Sequence, residues 1–157
     1  MVTLQFFTEE HFPDLNYQLD EIQLQYTSSA EMALQRIKER NDGKAFPITI
    51  LYEEKPVGFF VLDFGEDKFD LTDNPNSTLL RSLSVNPKMQ GKGIGREAML
   101  QIDDFTKKNF GSCDEIVLAV NQNNISAYEL YIKVGYHYDG KSRIGRSGPQ
   151  YLMYKKL

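Results

Sequence analysis

A chain of 157 residues, 41% hydrophobic and 25% charged, has the size and make-up of one globular domain spanning 1–157, which excludes disordered and fibrous classes. A single cysteine, Cys113, excludes an intrachain disulfide and points to a reducing cytoplasm. The net charge of −4 excludes a general nucleic-acid binder, and the sequence offers neither a secretory h-region nor the ~20 apolar residues of a membrane span.

Val2 to Phe6 alternates apolar and polar residues, as a half-buried strand does. Thr8 can cap a helix with Glu9 and Glu10 in its first turn, where the dipole favours acids. Leu15, Leu19 and Ile22 then recur at helical spacing. Ser28 or Ser29 can cap a second helix carrying Met32, Ala33, Leu34 and Ile37, which Asn41-Asp42-Gly43 ends. Phe46 to Tyr52 and Val57 to Phe64 predict a hairpin around Glu53-Glu54-Lys55-Pro56. Asp63 to Pro75 reads as an acidic loop. Thr78 to Val85 is the next strand, stopped by Asn86-Pro87. Gly93 to Lys108 predicts a helix with Ile94, Ala98, Ile102 and Phe105 on one face. Glu115 to Val120 reads as a buried strand and Asn124 to Val134 as a helix ended by Gly135. Tyr136–Ile144 and Tyr151–Tyr154 form a final antiparallel pair around 145–149. The order βααβββαβαββ predicts a mixed α/β sheet with helices on both faces.

Charge is uneven along the chain. Residues 1–80 are strongly acidic, whereas 81–96 hold Arg81, Lys88, Lys92 and Arg96 and no acid. A basic island in an acidic protein suggests a local anion site rather than a long polyanion track, although on charge alone a solvated patch is the better reading. Within the island lies Gln90-Gly91-Lys92-Gly93-Ile94-Gly95-Arg96. Its three glycines allow backbone N–H groups to converge. The loop opens into a helix N-terminus, whose free N–H groups and dipole favour anions. Lys92 and Arg96 add cationic donors. A Walker A string is absent, and the G-x-G-x-G spacing does not fit the dinucleotide fingerprint.

A second segment runs Asn124-Ile125-Ser126-Ala127-Tyr128-Glu129-Leu130-Tyr131. On a helix, Asn124, Ala127 and Tyr131 share one stripe. A small Ala beneath a Tyr leaves room for a thin ligand that the phenol could reach as a proton donor. The plainer reading is an amphipathic helix with a core tyrosine.

Together the two segments resemble the GNAT family of acyl-CoA-dependent N-acetyltransferases. Gln90-x-x-Gly93-x-Gly95 is similar to the family's Q/R-x-x-G-x-G/A loop. Asn124-x-x-Ala127-x-x-Leu130-Tyr131-x-Lys133-x-Gly135-Tyr136 is similar to its N-x-x-A-x-x-L-Y-x-K-x-G-F segment, with Tyr136 for Phe. The first 78 residues match in element order. The resemblance implies a mostly antiparallel sheet whose central parallel strands, 78–85 and 115–120, splay apart. Pantetheine would lie in that gap beside Leu83, Ser84 and Val85. The pyrophosphate would sit on Gln90, Gly91, Lys92, Gly93, Ile94, Gly95 and Arg96. Asn124 and Ala127 would flank the pantetheine. Tyr131 would stand near the sulfur and donate to the leaving thiolate, and the Val85 N–H would hold the oxyanion. The implied reaction is direct transfer of acetyl from acetyl-CoA to an amine. No metal, nucleic-acid or membrane partner is expected, and a homodimer is compatible with the pattern.

A general base is the missing part. Positions that are often acidic in the family read Leu79 and Ala119. Glu21, Asp63 and Glu66 remain as remote carboxylates, and Ser82 and Ser84 as holders of a relay water. His11 and His137 read as packed or surface residues, and Cys113 as a turn residue rather than a nucleophile. The acidic loop, with Asp63, Glu66, Asp67, Asp70 and Asp73, would border the acceptor cleft in the family and could draw in a cationic amine, a solvated loop being the plainer reading. A non-catalytic acyl-CoA-binding module on the same fold is the competing reading, favoured by the absent carboxylates and opposed by Tyr131.

Overall fold

A computed structural model describes all 157 residues. The alternating segment forms β1 (Val2–Phe6). The stretch expected as two helices is three short ones, α1 (Phe12–Leu15), α2 (Glu21–Tyr26) and α3 (Ala30–Arg40), after a 3-10 turn at Glu9–His11. Local chemistry explains the break. Asn16 leaves helical angles at φ −86°, ψ 42°. Asp20 then starts a new helix by accepting from the Gln23 N–H at 2.8 Å, while the Gln23 side chain accepts from the Asp20 N–H at 3.0 Å. Leu15 and Leu19 are therefore buried while Ile22 is exposed, so the three share no helix face. Of the two serines offered as a cap, Ser29 caps α3, accepting from the Met32 N–H at 3.2 Å.

The remaining elements are β2 (Ala45–Tyr52), β3 (Lys55–Asp63), β4 (Ser77–Val85), α4 (Ile94–Asn109), β5 (Glu115–Asn121), α5 (Ile125–Lys133), β6 (His137–Gly145) and β7 (Gly148–Lys156). Glu53 and Glu54 both take left-handed angles, φ 49° and 68°, and make a two-residue hairpin loop, which puts Lys55 and Pro56 in β3 rather than in the turn. The seven strands run in the order β1-β2-β3-β4-β5-β7-β6. All pairs are antiparallel except β4 with β5.

Alternation along the strands sends side chains to two faces. On one, Ile48, Phe60, Leu80, Ile116 and Leu118 pack against Ile94, Ala98, Met99 and Ile102 of α4, with Leu130 and Tyr131 of α5 beside them. On the other, Phe59 and Val61 pack against Leu15 of α1 and Ala30 and Ala33 of α3.

β4 and β5 pair only where Ser77–Leu79 meet Glu115–Val117, and beyond that they diverge. A bulge in β4 accompanies the divergence. Its partners on β3 jump from Val61 at Arg81 to Phe59 at Ser84, and Ser82 is forced to φ 59°. No helix is long and apolar enough to cross a membrane.

Candidate active site

A cleft of about 750 Å³ occupies the gap between β4 and β5, within the ~300–1,000 Å³ of small-molecule sites. It reaches from the glycine loop before α4 to Ser28 and Arg36 on the other side of the sheet.

The glycine loop forms one end. Gly91 and Gly93 sit at φ 80° and 75°, angles that only glycine adopts without strain. Gly93 caps α4 with no side-chain bond, and the first intrahelical bond runs from the Glu97 N–H to the Gly93 carbonyl. The N–H groups of Ile94, Gly95 and Arg96 therefore point outward from the helix start. Nothing lies within 4 Å of where a Cβ would stand on Gly91, Gly93 or Gly95. The cradle thus has donors, dipole and room for a diphosphate. Gln90, Gly91, Gly93 and Gly95 line the cleft, as does Ile94, whose side chain is buried in the core. Lys92 and Arg96 are exposed and stand outside the cleft wall.

Leu83, Ser84, Val85, Asn124, Ala127 and Tyr131 line the same cleft. The Asn86 N–H donates to the Val57 carbonyl at 2.7 Å, so the adjoining Gly58–Val85 pair is one whose own amides face away from each other. The Val85 N–H and C=O therefore point toward β5, into the gap. Its carbonyl accepts from the Gln23 side chain at 2.8 Å. Asn124 caps α5, its oxygen accepting from the Ala127 N–H at 3.4 Å. Tyr131 packs its ring 5.8 Å from that of Tyr136. Burial pushes its phenol up to about 12, with no hydrogen bond or charge opposing.

No carboxylate lines the cleft. Leu79 and Ala119 both line it and are apolar. Glu21 and Glu66 are exposed outside it. Asp63 is only 1% exposed and is held by Arg40 at 2.6 Å, Arg81 at 3.2 Å and the Gly65 N–H at 2.8 Å. Burial works to raise its carboxyl, but Arg40 and Gly65 outweigh that and leave it below the usual range. It is a structural anchor.

The acidic loop does not border the cleft, contrary to expectation. Glu66–Asp70 forms a 3-10 helix. Its buried Lys68 donates to the carbonyls of Pro75 and Ser77 at 2.8 and 3.0 Å. Asp67 and Asp70 face Arg81 and Arg143 at 2.8 and 3.6 Å. His11 bonds Thr49 at 2.8 Å and His137 lies against Tyr154. The thiol of buried Cys113 is raised by desolvation and donates to the Glu115 carbonyl, the opposite of an activated nucleophile.

Several residues in the cleft wall or directly behind it carried no sequence signal. Tyr17 bonds the Ser84 hydroxyl at 2.7 Å, and burial raises its phenol to about 12 despite that bond. Ser28 bonds Ser82 at 3.2 Å and accepts from Arg36 at 3.3 Å. The turn between β6 and β7 docks on α2, with the Ser147 hydroxyl donating to the Gln25 carbonyl at 2.7 Å. The hydroxyls of Ser82 and Ser84 are thus engaged by other side chains.

A splayed β4–β5 pair with a glycine cradle at its mouth defines a class, and comparison with known proteins agrees. The family model for the acetyltransferase (GNAT) family matches residues 6–136. The chain is 36% identical over 158 residues to the uncharacterized N-acetyltransferase YbbJ of Bacillus subtilis (strain 168), covering 99% of this chain and 98% of that one. It therefore belongs to the GNAT acetyltransferase family. It is also 27% identical over 128 residues to the spermine/spermidine N(1)-acetyltransferase of the same strain, 81% of each chain. In fold it is similar to the aminoglycoside acetyltransferase AAC(6')-Ib solved in complex with coenzyme A, with a TM-score of 0.76 and 18% identity over 99% of this chain and 95% of that one.

Proposed function

We propose that this protein is a single N-acetyltransferase domain that moves the acetyl group of acetyl-CoA directly onto an amine, with Tyr131 and the Val85 N–H as its catalytic groups. The observation that carries the reading is the gap itself, which brings the cradle, the inward-facing Val85 amide and the Tyr131 phenol into one cleft. The N–H groups of Gly95 and its neighbours would hold the diphosphate. Asn124 and the backbone of Leu83–Val85 would align the pantetheine arm, and Ala127 would leave it room.

The amine attacks the thioester carbonyl, the carbon–sulfur bond breaks, and the proton lost by nitrogen leaves through solvent. The Val85 N–H would stabilise the oxygen charge that develops. The Tyr131 phenol, protonated throughout the working range, would donate to the departing sulfur. Without a carboxylate in the cleft, the acceptor must reach the thioester as the neutral amine. Relatives acting on spermine and aminoglycosides support amine chemistry in general.

The absent carboxylate also favours a second reading, a module that binds acyl-CoA without turnover. Thiol release from acetyl-CoA across a panel of amines, run beside calorimetric CoA titration, separates the two. Release with at least one amine is the expected result. CoA binding with no release on any amine supports the second reading instead.

A further inference from the structure

Resting on the proposed acetyl transfer, we infer that the acceptor amine carries a compact anion of its own, a carboxylate or phosphate, and that Arg36 and Arg146 bind it. Four arginines and no Asp or Glu line the cleft. Two are neutralised, Arg81 by Asp63 and Asp67 and Arg143 by Asp70. Arg36 and Arg146 have no ion-pair partner. Arg36 donates to the Ser28 hydroxyl at 3.3 Å. Arg146 reaches the carbonyls of Leu24 and Gln25 at 3.4 and 3.5 Å. A guanidinium has five N–H donors, so each keeps most of its fork free.

These two cations are separate from the diphosphate cradle. Arg36 belongs to α3, which packs on the sheet face opposite α4. Arg146 is held against α2 by its own bonds and those of Ser147. Their end of the cleft is where an acceptor would approach a thioester lying between β4 and β5.

A polyamine or aminoglycoside brings several ammonium groups to a lining that offers no carboxylate to meet them. An amine with its own anion is matched instead, because the guanidinium fork fits carboxylate and phosphate.

The test is CoA release at fixed ionic strength with four kinds of acceptor: the common amino acids, their carboxamides, phosphoethanolamine, and the polycations spermidine and kanamycin. An anionic amine should show at least tenfold higher kcat/KM than any carboxamide or polycation, with amino acids and phosphoethanolamine telling carboxylate from phosphate. Arg36→Gln and Arg146→Gln should each raise KM for that amine about tenfold or more, the worth of a charge-assisted bond, with CoA affinity unchanged by calorimetry. Equal or faster turnover of spermidine, kanamycin or the carboxamides overturns the inference while leaving acetyl transfer standing. So does a loss of CoA affinity in either variant, which would give the arginines to the cosubstrate. No release with any acceptor overturns the proposed transfer itself and this inference with it.

Discussion

Tyr131→Phe removes one oxygen and keeps the ring that packs against Tyr136. The structure bounds what that oxygen can do. Burial holds its phenol up at about 12, so it meets the sulfur as a neutral hydrogen-bond donor at working pH. In the proposed mechanism Tyr131 would donate a hydrogen bond to the departing sulfur. A bond to a developing charge is worth about 1.5–3 kcal/mol, so kcat should fall about 10- to 150-fold. CoA affinity should change by no more than about 1–1.5 kcal/mol, one ordinary hydrogen bond. Because the phenol stays protonated far above neutrality, the wild-type pH profile should show no loss of activity from Tyr131 below pH 11. Single-turnover acetyl transfer is the assay, so that product release does not mask the chemistry. Tyr128→Phe, whose ring lies 4.9 Å from that of Tyr151, is the control and should be nearly silent. Wild-type single-turnover rates in Tyr131→Phe would refute the assignment, and a collapse of CoA affinity would recast the residue as a binding group.

Gly95→Ala should fold normally, since its φ is ordinary and its Cβ would meet no protein atom within 4 Å. It should nonetheless weaken CoA binding about tenfold or more, by placing a methyl where the diphosphate approaches; calorimetry beside a thermal melt checks both halves. Glu21→Gln and Glu66→Gln should each lose less than about tenfold in kcat, because positioned bases contribute more and neither residue lines the cleft; steady-state kinetics with a turned-over amine decides it. Asp63→Asn should destabilise the fold by about 2–3 kcal/mol in urea melts at pH 7, somewhat less than the ~3–5 kcal/mol for breaking a fully buried ion pair, because Arg40 and Arg81 remain partly solvated. The folded Asp63 carboxyl lies below its unfolded value, so its stabilisation is full above about pH 4 and lost as pH falls through the folded value. The gap between wild type and variant should therefore narrow toward pH 3, and a constant gap would show that charge is not the cause.

Strands were legible where burial on one face enforces a period of two, as in β1, or where both faces are buried, as in β5. The stretch 12–26 reads as a continuous helix because Leu15, Leu19 and Ile22 satisfy a helical period that local bonding overrides. The reciprocal bonds of Asp20 and Gln23 restart the chain there, and the pair does not announce itself among other polar residues. Strand ends slipped for a related reason. Glu53 and Glu54 make the tight loop without the glycine or asparagine that usually marks one. At the C-terminus, β7 begins at Gly148, so Arg146 and Ser147 alone form the turn.

The two halves of the cleft differ in legibility for a physical reason. A diphosphate is gripped by backbone N–H groups, and backbone can approach it closely only through glycines at the start of a helix. In the proposed site that demand would compress the cosubstrate half into Gln90–Gly95, a contiguous string whose left-handed Gly91 and Gly93 admit few alternatives. The proposed acceptor half has no such demand. Its lining comes from side chains on α2, α3, β4 and the β6–β7 turn, elements separated by up to 122 residues. Only the splay of β4 from β5 brings them together. Arg36 and Arg146 look like surface charges in the sequence, and they become informative only when the fold shows that no carboxylate accompanies them in the cleft. The acidic loop failed in the converse way, since its charges were plain in the sequence but their arginine partners were not. Net local charge along a chain thus predicts a partner poorly, and the charge left after pairing within the fold is the quantity an acceptor meets.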